Sequence, residues 1–426
     1  MTPEIEKRIK LVKAGKVPAG YKRTKIGIVP KEWQTVLLGT LFSDRNESNC
    51  SSMELLSITA DKGIIPRSEI EGKDNSSEDK SKYKRVYVGD IAYNTMRMWQ
   101  GVSALSLYEG IVSPAYTVLN PIKSICVPYF SYLFKMKSLI NCFYRNSQGL
   151  VDDTRSLKYE WFKKIEVDTP SKREQEKIAE ILAAQDRVIE LKENLIAEKQ
   201  TQKNYLMDQL FSGQKRLVGK TESFVSSAIG SVPSDWKLFL FETLFDVCKE
   251  HTENLIEYPL YSLTIENGVT PKTERYERQH LVKKENVYKI LKPKYFAYNP
   301  MNIRFGAIGL HKKEFPVAVS GYYDTFTCKD PSILIFMEHF LKSDAMLNYY
   351  DKVSTGSLIE KKRVHLSQFL SFELPLPSIE EMRAIAKVLS TADEEISLLQ
   401  KDLEQEKLKK KSLMQLLLTG LVRVSA

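Results

Sequence analysis

Between Pro170 and Gly213 the chain has no internal proline or glycine, and apolar residues return every three or four positions. The same is true from Pro377 to Gly420. Proline at the start, a serine behind it (Ser171, Ser378) and glycine past the end are the punctuation of a helix. Each stretch of about 43 residues predicts a helix of roughly 65 Å at ~1.5 Å per residue. The apolar positions form heptad-like stripes. One runs through Ile178, Leu182, Ile189, Ile196, Leu206 and Leu210, the other through Ile385, Leu389, Ile396, Leu399, Leu403, Leu413 and Leu417. A helix of that length overhangs any domain of about 150 residues. Its stripe therefore calls for a partner helix, and the nearest is the other one, antiparallel about a pseudo-twofold axis. Lys192, Lys199, Lys203 and Glu406 interrupt the stripes. They are expected to meet partner subunits or one another, with Lys199 against Glu406 as the candidate opposite-charge pair.

Outside these stretches the period changes. Residues 25–169 and 228–376 carry short alternating apolar runs broken by turn signals such as Asn-Gly and Lys-Pro-Lys, the pattern of a strand-rich α+β domain. The two regions are one design written twice. "IGIVPKEWQTVLLGTLF" at 26–42 returns as "IGSVPSDWKLFLFETLF" at 229–245, and "AYNTMRMWQGVSAL" at 92–105 returns as "AYNPMNIRFGAIGL" at 297–310. "PSKREQEKIAEIL" at 170–182 returns as "PSIEEMRAIAKVL" at 377–389. The expected division is 1–169, an N-terminal segment and first domain; 170–213, a first spacer helix; 214–376, a second domain; and 377–426, a second spacer helix with its tail. The segment "PEIEKRIKLVKAG" places Ile5, Ile9 and Val12 on one face and predicts a short docked helix ending at Gly15.

Composition narrows the class. The net charge of +9 suits a polyanionic partner without demanding one. No apolar run approaches the ~20 residues of a membrane span, and the N-terminus lacks a signal-peptide core, so a cytoplasmic protein is expected. The five cysteines are scattered, with no Cys-x-x-Cys, which argues against a disulfide framework and a structural zinc site.

No catalytic constellation is visible. All five histidines (His251, His280, His311, His339, His365) lie in the second repeat, which rules out a duplicated histidine-based centre. "GQKRLVGKT" at 213–221 has five residues between its glycines where a phosphate loop has four, and it follows a helix. Asn299-Pro300 begins like the Asn-Pro-Pro-Tyr loop of adenine methyltransferases. Met301 follows, however, and the first copy reads Asn94-Thr95. A strand end turning into a loop accounts for both copies.

Three features together resemble the specificity subunit of type I restriction–modification systems. They are the Ile-Gly-x-Val-Pro-x-x-Trp opening of each half, the Gly-Asp-Ile-Ala-Tyr-Asn strand at Gly89–Asn94, and the Pro-Ser-x-x-Glu-Gln-x-x-Ile-Ala-x-Ile-Leu start of the long helices. The second copy departs from this pattern at Met382 and at Lys294-Tyr295. The resemblance spans roughly residues 21–424. It implies an α+β chain in which two target-recognition domains are separated by two long helices paired as an antiparallel coiled coil. Each domain would read one half of a bipartite, asymmetric, gapped double-stranded DNA site. It implies no cofactor in this chain. Two modification subunits on the helices would supply S-adenosylmethionine-dependent methylation of adenine N6, and restriction subunits would supply ATP- and Mg-dependent cleavage. The competing reading is a stand-alone DNA-modifying enzyme with degenerate motifs.

DNA contacts call for basic and amide side chains on loops. The candidates are Lys62, Arg67, Arg85, Arg97 (with Trp99) and Arg155 in the first domain, and Lys272, Arg278, Arg304, Ser357, Lys361, Lys362 and Arg363 in the second.

Overall fold

A computed structural model describes residues 2–59, 62–72, 74, 76–151, 154–272, 288–356 and 362–424. The chain forms two compact units, Met1–Glu193 with Asp402–Ala426, and Asn194–Lys401. Each unit owns half of each long helix.

The first unit is built on a four-stranded antiparallel sheet in the order Phe42–Asp44, Tyr116–Pro121, Ile91–Asn94, Ser103–Leu105. Short two-stranded ladders surround it, among them Lys84–Val86 with Gly110–Val112 and Leu56–Ile58 with Ile64–Pro66. Strand Gln34–Leu37 pairs with Glu166–Thr169, which leads into the first long helix. One face of the sheet is covered by short helices, and aromatics from both make the core: Phe42 and Tyr93 from the strands and Phe130, Phe134, Phe143 and Phe162 from the helical side are wholly buried.

The second unit repeats this plan. Its sheet runs Phe245–Cys248, Asp324–Cys328, Phe296–Tyr298, Ile308–Leu310, and Phe241, Phe296, Phe326, Phe340 and Phe369 fill the matching core. Where the first unit bends before its central strand at Gly89 (φ +94°), the second uses Lys294 at φ +66°. A left-handed turn is required at both places, and here a lysine carries the strain that glycine avoids.

The long helices are Lys172–Phe211 and Ile379–Leu418, 40 residues each. Ser171 and Ser378 cap them: their hydroxyls accept from the N–H groups of Glu174 and Glu381, at 3.3 and 3.2 Å. Gly213 and Gly420, at φ +68° and +67°, end them in the left-handed conformation.

Within each unit the two helix halves run antiparallel. In the first unit Asp186 meets Lys410, Gln185 Nε2 donates to Glu406 at 2.7 Å, and Lys192 meets Asp402. In the second, Lys199 meets Glu395 at 2.6 Å and Lys203 meets Asp393. The charge pairing anticipated between Lys199 and Glu406 is therefore wrong, since the register gives each of them another partner. The stripe is also more than a helix–helix seam. Ile178, Leu182 and Leu417 belong to the core of the first unit, with Leu413 packed against it. Leu210, Ile385 and Leu389 belong to that of the second, with Leu206 packed against it. Ile396 and Leu403 are buried, while Ile189, Ile196 and Leu399 are half-buried.

The N-terminal helix, Pro3–Lys13, docks Ile9 and Val12 on Tyr21, Ile28 and Leu421. Arg8 donates to the carbonyl of Leu421 at 2.7 Å.

Candidate nucleic-acid interface

In both units the central strand runs out into the same device. Asn94 ends its strand and Asn299 directly follows its own, and each Oδ1 accepts from the N–H two residues on, at 3.0 Å. A single turn of 3-10 helix follows, Met98–Gln100 or Ile303–Phe305, closed by a left-handed glycine, Gly101 or Gly306. The asparagine recurs because it makes this turn. The proline beside it adds no chemistry. A second loop lies alongside: Leu157 N–H donates to the carbonyl of Thr95 in one unit, and Val364 N–H to that of Pro300 in the other. This loop is pinched by an antiparallel bridge, Gln148 with Ser156 and Thr355 with Arg363.

On that shared frame the side chains diverge. In the first unit Trp99 packs on Tyr144, with ring centroids 5.8 Å apart, and the Arg155 guanidinium lies 4.0 Å from the centre of the same ring. Arg97 is exposed beside them, with Gln100 Oε1 at 3.4 Å. In the second unit the residue in the place of Trp99 is Arg304. It binds Asp351 at 3.1 Å and lies 4.3 Å above Phe305. An edge-to-face aromatic contact has been exchanged for an ion pair at equivalent positions.

The sequence candidates thus separate by location. Arg97 and Arg155 come together with Trp99. Lys62 is exposed on the turn between strands Leu56–Ile58 and Ile64–Pro66, and Lys272 is exposed at the end of the matching strand Gly268–Pro271. Lys362 and Arg363 are half-buried at the foot of the second loop. Arg67 serves its own turn, donating to the carbonyls of Ile70 and Gly72 at 2.7 and 3.2 Å. Arg85 is bound by Glu109 and Glu47 at 2.6 and 2.9 Å and stacks on Tyr87. Those hydrogen bonds hold Arg85 charged and push the Glu47 carboxyl below its usual range. Arg278, Ser357 and Lys361 lie outside the described residues. Tyr144 and Leu150 were not singled out by sequence. Tyr144 stands 45 residues from Trp99, a separation that no local pattern marks.

Among the described residues no group of three or more histidines, cysteines or acids could hold a metal ion, and no helix is long and apolar enough to cross a membrane.

Residues 30–199 and 233–408 match the family described as type I restriction modification DNA specificity domain, once per repeat. The chain belongs to that family. Members are specificity subunits, the DNA-recognition components of type I restriction–modification enzymes, which leave catalysis to other subunits. Two relatives come from Methanocaldococcus jannaschii. The protein assigned as the MjaX type I specificity subunit is 24% identical over 95% of this chain and 97% of its own length. The MjaVIII specificity subunit is 26% identical over 81% and 83%. Two solved structures share the fold. The S subunit from M. genitalium has TM-score 0.52 at 13% identity, covering 93% of this chain and 97% of that one. A chain from a type I system solved to explain complex assembly and conformational transition has TM-score 0.55 at 12% identity, covering 92% and 99%.

Proposed function

We propose that this specificity subunit directs its enzyme to a bipartite, asymmetric DNA site, each repeat reading one half. The observation that carries the reading is the contrast just described. One frame of strand, Asx turn, 3-10 turn and pinched loop is present twice, yet Trp99, Tyr144 and Arg155 stand in one copy where the other has Arg304, Asp351 and Lys362. A shared frame with different side chains presents two different hydrogen-bonding surfaces to base edges, and so two different half-sites. The domains are taken as 1–169 and 214–376, with 170–213 and 377–426 as the helical spacers. The basic candidates that remain exposed, Lys62, Arg97 and Lys272, serve as phosphate or base contacts.

The partners in this reading are double-stranded DNA, two modification subunits carrying S-adenosylmethionine chemistry at adenine N6, and restriction subunits using ATP and Mg, all in the cytoplasm. The test is adenine-methylation mapping. DNA incubated with the purified chain alone should stay unmethylated. With its modification subunits, adenine should be methylated in both halves of one gapped motif. Methyl transfer by the chain alone would establish the stand-alone enzyme and overturn this reading.

A further inference from the structure

The pinched loop of the first unit is braced at its root. Gln148 and Ser156 exchange both backbone hydrogen bonds, at 2.9 and 2.8 Å. Gly149, at φ +142°, allows the closure, since a Cβ there would stand 2.6 Å from the carbonyl oxygen of Thr154. Thr154 in turn donates to the Val151 carbonyl through both its N–H and its hydroxyl, at 3.0 and 2.9 Å. The root is tied to the sheet by Leu157 N–H on Thr95 at 2.8 Å.

On this support Leu150 is 99% exposed and Val151 59%. A single exposed leucine needs no explanation. Here the setting supplies one. Two adjacent apolar side chains project from a braced loop, and the base of the loop carries Arg155 on Tyr144, with Trp99 edge-on against that ring and Arg97 two residues before Trp99. A narrow loop closed at its root can present its tip to the major groove of B-DNA, where the apolar group on the base edges is the C5 methyl of thymine.

We infer that Leu150 is a specificity-determining residue that contacts a thymine methyl in the half-site read by the first unit. The inference rests on the DNA-recognition reading above and names one element of it. Arg97 and Arg155 flank the contact and hold the loop against the backbone.

The test uses the full chain with its modification subunits and duplexes carrying the mapped site. Each thymine of each half-site is replaced in turn by deoxyuridine, which lacks only the methyl. At one position the replacement should weaken binding by about fourfold, the worth of one buried methyl. Leu150→Ala should bind the unaltered site about tenfold more weakly, within the range of a single lost base contact. It should be indifferent to deoxyuridine at that position, and its response to changes in the other half-site should match the unaltered chain. Leu150→Met should retain most of the affinity. If no deoxyuridine position costs affinity, or if it costs the Leu150→Ala chain equally, the inference is overturned while the gapped-site reading stands. If the unaltered complex shows no gapped motif at all, both are overturned.

Discussion

Arg216 and Arg423 occupy equivalent places just beyond the two long helices. Arg216 holds Glu381 through Nε and Nη2 and Asp235 through both terminal nitrogens, at 2.8–3.0 Å. Arg423 holds Glu174 at 2.6 and 2.7 Å and also meets Glu32. Glu174 and Glu381 stand where a capping-box glutamate would fold back on its own helix. Here each is taken by an arginine instead. Glu381 is 1% exposed, so Arg216→Ala leaves a buried charge unpaired and should cost about 3 kcal/mol. Arg423 is 36% exposed and its partner Glu174 4%, so the pair is better screened and Arg423→Ala, though it also strands a buried carboxylate, should cost somewhat less. Urea denaturation of the two variants checks the order. Gly213 offers a second measurement. An added Cβ would stand 2.2 Å from Pro233 Cγ at a left-handed φ, so Gly213→Ala should destabilise by about 2 kcal/mol, well beyond an ordinary glycine replacement.

Asp393 carries the pH dependence at this scale. Burial works to raise its carboxyl, but His339 and Lys203 bonded to it prevail and hold it at about 2. The folded value lies below the ordinary 3.8, so the group stabilises the fold above about pH 4 and loses that contribution as pH falls toward 2. The side chain is 37% exposed, and after solvent screening the contribution should be about 1 kcal/mol. Asp393→Asn should flatten the acid limb of a stability–pH curve by that amount. An unchanged limb would remove Asp393 from the account.

At the scale of elements, the long helices were legible because their evidence is local. Absence of proline and glycine, a serine cap and a 3.5-residue apolar period are read from neighbours along the chain. Register was not legible. A heptad stripe reads equally well when slid by seven residues, and surface charges contribute too little to choose among slides. The choice is made at the helix ends, where Ile178 and Leu182 enter one core and Ile385 and Leu389 the other. Leu389→Ala, at 0% exposure, should therefore cost about 3 kcal/mol. Lys199→Glu should cost about 0.5 kcal/mol, with recovery on adding Glu395→Lys but not Glu406→Lys, as read by thermal denaturation of the double variants.

At the scale of the whole molecule, duplication makes a prediction about modularity. If each repeat reads its own half, exchanging residues 228–376 for the corresponding domain of another specificity subunit should alter one half of the methylated motif and leave the other intact. Methylation mapping of the hybrid decides it, and a change in both halves would defeat the division of labour.

The sequence by itself determined the duplication, the existence and ends of the long helices, the strand-rich character of the rest, and through its motifs the family. Each of these is written in short-range periodicity or in direct self-similarity, which survive without knowledge of what touches what. The tertiary structure alone decided which charges are occupied and which side chains face solvent together. Arg85 and Arg97 look equally available in the sequence, yet one is bound by Glu47 and Glu109 and the other is exposed. Trp99 meets Tyr144, and Arg304 meets Asp351, across dozens of residues whose spacing carries no rule. The proposed reading edge was hidden for that reason: it is made of loop side chains brought together by a framework, and only the framework has a pattern.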